Sequence, residues 1–188
     1  LISVLGGMSF ESHYSLLTGK FRKFIKNPEI KFFFLIAITA TILIFINTYF
    51  SKGNSYFESF FYVISALTST GAIFGLDLST LPALTIFIII ILMAFGASYG
   101  STTGALKLWR ILILYQVVKR EIHRAFLPQK AVTPIILGGR IVPEDKALKA
   151  LSYISLYIVF IIAGSIIFMY AGFGLIDSIF TIVSAIGN

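Results

Sequence analysis

The sequence predicts an all-helical membrane protein assembled from repeats of a membrane span, a short re-entrant helix and a second span. Three observations carry this prediction. The 188-residue chain is 57% hydrophobic and 12% charged, with a mean hydropathy of +0.94, far too apolar for a surface that water must cover. Apolar runs of spanning length alternate with runs of about ten residues, too short to cross a hydrocarbon core of about 30 Å. The short runs are also near copies of each other. Phe57-Glu58-Ser59-Phe60-Phe61-Tyr62-Val63-Ile64-Ser65-Ala66 and Ile176-Asp177-Ser178-Ile179-Phe180-Thr181-Ile182-Val183-Ser184-Ala185 each carry an acid near the start and end in Ser-Ala before small or polar residues. A short helix that enters a bilayer and stops in exposed backbone is one way to build an ion filter.

The elements follow in order. Residues 1–17 are mildly apolar and read as the end of a preceding transmembrane helix, and 18–31, with Lys20, Arg22, Lys23, Lys26 and Lys31, as a cytoplasmic link. The run 32–50 is almost unbroken and, at 1.5 Å per residue, reaches about 28 Å as a helix. A polar link, Ser51-Lys52-Gly53-Asn54-Ser55, leads to the first short helix, 56–66, whose Glu58 lies in the first turn, where a helix dipole favours an anion. Residues 67–73 bear the small and hydroxyl side chains of extended backbone. Pro82 opens a long element, 82–118, that would reach about 55 Å if straight. The stretch Gly96-Ala97-Ser98-Tyr99-Gly100-Ser101-Thr102-Thr103-Gly104-Ala105 breaks it, because glycine and hydroxyl residues are poor helix formers. Residues 119–146 form a cytoplasmic connector in which Leu137-Gly138-Gly139-Arg140 reads as a hairpin turn. A partial next repeat, 147–188, supplies a span (147–171), a short helix (175–185) and the start of a second filter strand. The chain thus reads as an interior piece of a longer, multi-pass membrane protein.

With this topology only Lys52 of the 15 Lys and Arg residues falls on the outer side, which is the bias that orients membrane proteins. The net charge of +7 therefore calls for no nucleic acid. Absence of cysteine excludes disulfides and thiolate metal sites. Neither a Gly-x-x-x-x-Gly-Lys-Ser/Thr phosphate loop nor a His-Glu-x-x-His pair occurs, so the sequence offers no enzyme signature. His13 and His123 lack ligand spacing and read as interfacial residues.

The candidate ion-binding backbone is Thr68, Ser69, Thr70, Gly71 and Ala72, with Gly187 and Asn188 as the start of the second copy. A pore must replace water around a monovalent cation, whose dehydration costs tens of kcal/mol in the Born picture. Stacked carbonyls do so where glycine permits the required dihedral angles. The alternative is an ordinary turn after a buried helix. For Gly96, Ala97, Ser98, Gly100, Ser101, Thr102, Thr103 and Gly104 the choice lies between a gating loop facing the transport path and a continuous helix whose four-residue glycine spacing packs against a neighbour. Glu58 and Asp177 read as helix caps in preference to cation attractors, and Lys107 as a lysine that snorkels to the interface.

The order of span, re-entrant helix, Ser69-Thr70-Gly71 loop, broken span with Gly100-Ser101-Thr102-Thr103-Gly104-Ala105-Leu106-Lys107 and Leu137-Gly138-Gly139-Arg140 connector resembles the third and early fourth repeats of the TrkH and KtrB family of potassium-uptake subunits. Leu5-Gly6-Gly7-Met8-Ser9-Phe10 with Tyr14 is similar to the end of that family's second repeat. The resemblance implies four repeats around one potassium-channel-like pore, one filter strand from each, and a gate at Gly96–Ala105 below the filter. It also implies potassium as substrate, no cofactor, a plasma-membrane homodimer, and a cytosolic nucleotide-binding regulatory subunit of TrkA or KtrA type. Ser69-Thr70-Gly71-Ala72-Ile73 departs from the Thr-Val-Gly-Tyr-Gly filter of tetrameric potassium channels, and the residues alone specify only a monovalent cation. A secondary transporter coupling a cation to another solute is the rival reading, since its broken helices also bind ions at the midplane.

Overall fold

A computed structural model describes residues 2–52, 55–72, 81–128 and 133–187, with backbone alone at 50–52. Ile73 and Asn188, the ends of the two candidate filter strands, lie outside the described residues, as does the whole link from 73 to 80. Among the described residues the regular structure is helical apart from one small hairpin. In order it forms α1 (Ile2–Gly6), α2 (Phe10–Leu17), α3 (Phe21–Lys26), α4 (Pro28–Lys52), α5 (Tyr56–Leu67), α6 (Ala83–Phe95), α7 (Leu108–Arg124), β1 (Ile135–Leu137), β2 (Arg140–Val142), α8 (Glu144–Tyr170) and α9 (Leu175–Gly187).

Local chemistry sets these boundaries. The opening segment contains two helices, α1 and α2: the chain bends at Gly7-Met8-Ser9, and the Ser9 hydroxyl caps α2 by accepting from the Ser12 amide. Asn27 starts α4, its Oδ1 accepting from the Glu29 amide at 3.0 Å while Pro28 occupies the first helical position, where its missing N–H costs nothing. The α4 and α8 helices, 25 and 27 residues long, reach about 37 and 40 Å, whereas the 12-residue α5 and 13-residue α9 reach about 20 Å. Only α4 and α8 combine the length and the hydropathy of a membrane span among the described residues. Ser55 and Glu58 form a reciprocal capping box at the start of α5, with the Glu58 amide 3.3 Å from Ser55 Oγ and the Ser55 amide 3.0 Å from Glu58 Oε2. Glu58 is thus a cap.

Helix α5 folds back along α4 and α9 along α8, and α6 stands between the pairs, packing on α4, α5 and α9. The principal core runs through this junction: Phe33 and Ile44 of α4, Val63 and Leu67 of α5, Leu92 of α6, Ala97 of the following loop and Leu108 of α7. On the second pair Gly164 of α8 gives α9 room, since a Cβ there would sit 2.7 Å from the Ile182 side chain. The antiparallel β1–β2 hairpin turns at Gly138-Gly139, both at positive φ, and packs Ile135, Leu137 and Val142 against α7 and the start of α8. Along α8 the side chains of Ile158, Val159, Phe160, Ile162, Ile166 and Ile167 are exposed. An apolar face of that extent requires hydrocarbon or protein cover.

Candidate filter and intramembrane loop

The first short helix ends where the sequence changes from apolar to hydroxyl-bearing. Thr68 is the C-cap of α5, and its hydroxyl accepts nothing from the helix but donates back to the Ile64 carbonyl at 2.7 Å and lies 2.7 Å from Thr70 Oγ1. The chain then reverses through Ser69 at φ +51° and Gly71 at φ +65°. The Ser69 and Thr70 amides are spent on the Ala66 and Ser65 carbonyls, at 3.2 and 3.0 Å. Among the described residues no donor reaches the carbonyls of Thr68, Ser69, Thr70 or Gly71. The Ala72 carbonyl differs: it accepts from Ser65 Oγ at 2.8 Å, so one of its lone pairs is turned towards α5. Ser69 Oγ is buried without a partner.

Ser69, Thr70, Gly71 and Ala72 line a cavity of about 220 Å³ whose opposite wall is α9, through Phe180, Val183, Ser184 and Gly187. The two copies of the repeat therefore face each other across it. Gly187 is the last residue of α9, so it occupies a helix end as Thr68 does. A Cβ on Gly187 would stand 4.0 Å from Ser69 Oγ, 3.4 Å from the Met93 carbonyl and 3.8 Å from Ala105 Cβ. Asp177 reaches back over the start of α9, its Oδ2 3.1 Å from where a Gly174 Cβ would be, the same fold-back as Glu58 on α5.

Helix α6 stops at Gly96 and α7 begins at Leu108, so the glycines at 96, 100 and 104 stand in an irregular loop and not on a continuous helix face. Gly96 takes φ +66° and ψ −160°, a region open in practice to glycine alone. The loop closes on itself through the Leu106 amide to the Ala94 carbonyl (3.1 Å) and the Leu108 amide to the Ala97 carbonyl (3.0 Å). Inside it Ser101 Oγ donates to the Ser98 carbonyl at 2.6 Å and lies 2.7 Å from Thr103 Oγ1. The Lys107 Nζ donates to the Ser101 carbonyl at 3.2 Å, because an irregular loop leaves carbonyls that a nearby ammonium can satisfy. The non-glycine residues at positive φ among those described are Ser69, Ala105 and Lys107, all in the two loops. Strain of this kind persists where the surrounding structure enforces it.

Sequence reasoning missed the part played by the N-terminal segment. The Gly7 carbonyl accepts from the Ser98 amide at 3.0 Å and the Gly6 carbonyl from Thr102 Oγ1 at 3.4 Å. A Cβ on Gly7 would meet Thr68 Cγ2 at 2.9 Å and Ala97 Cβ at 3.3 Å. Gly7 is thus wedged between the end of α5 and the loop; the Gly6-Gly7 pair in an otherwise helical stretch was the available signal. Beyond the loop lies a second cavity of about 940 Å³, walled by Lys23, Lys26, Arg110, Arg140, Lys146 and Lys149 together with Glu11 and Glu29. The Lys23 ammonium, 3.0 Å from Glu11, holds that carboxyl below the usual range through its hydrogen bond and its charge, and Arg110 stacks on Tyr153 at 3.9 Å. Among the described residues no cluster of His, Cys, Asp and Glu is suited to a metal ion. His13 bonds the Leu5 carbonyl at 2.9 Å.

Two span and short-helix pairs meeting at buried irregular loops define a polytopic helical membrane protein of the class in which transport proteins fall. The comparisons with known proteins place it within that class. The model of the TrkH family, described as a cation transport protein, matches residues 1–188. An uncharacterized cation transporter from Methanocaldococcus jannaschii is 33% identical over 193 residues, covering 100% of this chain and 38% of that protein. The Trk system potassium uptake protein TrkH of Escherichia coli is 30% identical over 192 residues, covering 98% of this chain and 39% of that protein. The crystal structure of the potassium transporter TrkH from Vibrio parahaemolyticus superposes with a TM-score of 0.81 at 20% identity over 97% of this chain and 40% of that one, a likeness of fold. The chain belongs to the TrkH family of cation transport proteins, which is not a family of enzymes. It spans about two fifths of the length of the relatives it matches.

Proposed function

We propose that the protein containing this chain moves potassium across the plasma membrane through a channel-like pore. In this reading Thr68 to Ala72 supply one strand of a backbone-carbonyl filter and Gly96 to Gly104 the gate beneath it. The single observation that carries the reading is that the carbonyls from Thr68 to Gly71 lack an intramolecular donor among the described residues, and that Ser69, Thr70 and Gly71 wall a cavity between two copies of the same short helix. Undonated carbonyl oxygens are what a dehydrated cation needs. Thr68, Ser69, Thr70 and Gly71 are the better placed ligands; Ala72, whose carbonyl Ser65 engages, contributes the turn. Gly187 leads into the opposing strand, with Asn188 as its first residue. Potassium is the cargo named for the E. coli and V. parahaemolyticus relatives, and the Trk system named for the former supports a cytosolic regulatory subunit of TrkA or KtrA type. A homodimer with one pore per protomer completes the proposal.

Gly71→Asp in the full-length protein tests it. A carboxylate at φ +65° both strains the turn and traps the cation. The expected result is loss of potassium-dependent growth rescue in an uptake-deficient cell with normal membrane expression. Unchanged uptake by a well-expressed variant would refute the filter assignment.

A further inference from the structure

The 940 Å³ cavity beyond the loop is lined by cations from four separate elements: Lys23 and Lys26 of α3, Arg110 of α7, Arg140 of β2, and Lys146 and Lys149 of α8. The acids in its wall are Glu11 and Glu29, and Lys23 engages Glu11 at 3.0 Å. Lys26, Arg140, Lys146 and Lys149 make no ion pair among the described residues. The charge bias of membrane topology explains why such residues share one side of a bilayer. It does not explain why elements distant in the sequence bring them to one cavity. A concave wall of that charge attracts an anion and repels a cation.

Arg110 is held in place for recognition. Its guanidinium lies 3.9 Å over the Tyr153 ring and spends one donor on the Leu106 carbonyl at 2.8 Å, which leaves further N–H groups on a planar fork that suits phosphate. The depth of the cavity tells which phosphate. Pro28 and Lys146 line it, and they stand in the first turns of the two helices with the length and hydropathy of membrane spans, so the cavity lies at the level of the headgroups. Trp109 and Tyr153 line it as well, and aromatic residues of this kind gather at that level. Along α8, Lys149, Tyr153, Leu156 and Phe160 follow at the spacing of one helix face, with Tyr153, Leu156 and Phe160 exposed. The wall thus passes from charged to apolar along one helix, which matches a headgroup joined to acyl chains and not a free phosphate.

We propose that this cavity binds the phosphodiester headgroup of an anionic glycerophospholipid from the cytoplasmic leaflet, with Lys26, Arg110 and Lys149 serving the phosphate and the acyl chains lying along Leu156 and Phe160. Basic pockets between membrane helices on the cytoplasmic side hold such headgroups. The orientation is the one that the Lys and Arg bias sets. The site stands apart from the filter and the loop, and its test reads neither.

The test uses the purified full-length protein in non-ionic detergent, with native mass spectrometry measuring phosphatidylglycerol retained against phosphatidylcholine. The wild type is expected to hold phosphatidylglycerol more tightly by roughly tenfold or more. Lys26→Gln with Lys149→Gln is expected to weaken it roughly twenty-five-fold, about fivefold for each charge removed. Lys119→Gln, on α7 outside the cavity, is expected to bind as the wild type does. Should the double variant fail to reach the membrane, the two single variants take its place, at about fivefold each. Equal retention of the two lipids, unchanged binding in the cavity variants, or an equal loss in Lys119→Gln overturns the proposal. Glycerophosphoglycerol, the same headgroup without acyl chains, and inorganic phosphate are then added as competitors. Displacement by either at the lipid's own concentration assigns the cavity to a free phosphate compound and overturns the lipid; retention of the lipid against both upholds it.

Discussion

Replacing Gly96 by alanine asks how tightly the loop between α6 and α7 is specified. Two costs add at this position. An alanine at φ +66°, ψ −160° occupies a region that costs about 1–3 kcal/mol per residue. Its Cβ would stand 2.9 Å from Ala105 Cβ and 3.1 Å from the Gly104 carbonyl oxygen, and relief of such overpacking costs a further ~1–3 kcal/mol. The Gly104 contact is with backbone, so no rotamer change removes it. The chain can yield only by separating the two ends of the loop, which breaks the Leu106 to Ala94 and Leu108 to Ala97 hydrogen bonds. A total of about 2–6 kcal/mol corresponds to roughly thirtyfold to on the order of ten-thousandfold in the equilibrium between the closed and displaced loop. Gly100 provides the control. It too has positive φ, +78°, but a Cβ there meets nothing nearer than Ser9 Cβ at 4.0 Å, so Gly100→Ala costs only the conformational ~1–2 kcal/mol. Thallium flux into liposomes and amide exchange at 96–108 in the full-length protein are the assays. Gly96→Ala should disturb both by at least tenfold more than Gly100→Ala. Equal effects of the two variants, or a wild-type Gly96→Ala, would show that the approach of Gly96 to Gly104 and Ala105 does not set the loop.

Two further outcomes follow from packing and hydrogen bonding. Ser65→Ala removes the donor to the Ala72 carbonyl and should cost about 1 kcal/mol, seen as a lower melting temperature and weaker discrimination between potassium and sodium in competitive flux. Gly164→Leu forces a large side chain into the space filled by Ile182. It should separate α9 from α8, widen the 220 Å³ cavity, and lower the yield of folded protein on size-exclusion chromatography, while Ile166→Leu, on the exposed face of α8, should leave that yield unchanged.

The punctuation of the chain was legible because it is local. Ser55 and Glu58 announce a helix start by their three-residue spacing, Gly138-Gly139 a hairpin, and the crowding of glycine and hydroxyl residues from 96 to 105 a break. The repeat at 57–66 and 176–185 was visible for the same reason, since identical local patterns fold alike. Lys107, just past an apolar run, has the placement of a snorkelling residue; its partner Ser101 could not be read from that placement, because the Ser101 carbonyl becomes available only when the intervening backbone abandons the helix. Gly7 carried a weak signal, a glycine pair, which does not say what the residue touches.

The sequence by itself determined that the chain lives in a membrane, that the stretch 96–105 interrupts a helix, and that one motif is used twice, because hydropathy, capping and helix propensity act over a few neighbouring residues. Only the tertiary structure decided that the two short helices end across one cavity, that Gly7 wedges between Thr68 and Ala97, and that the Gly7 carbonyl holds the Ser98 amide. These contacts join residues 60 to 120 positions apart, and the packing of whole helices sets such distances, which leave no period or spacing in the chain.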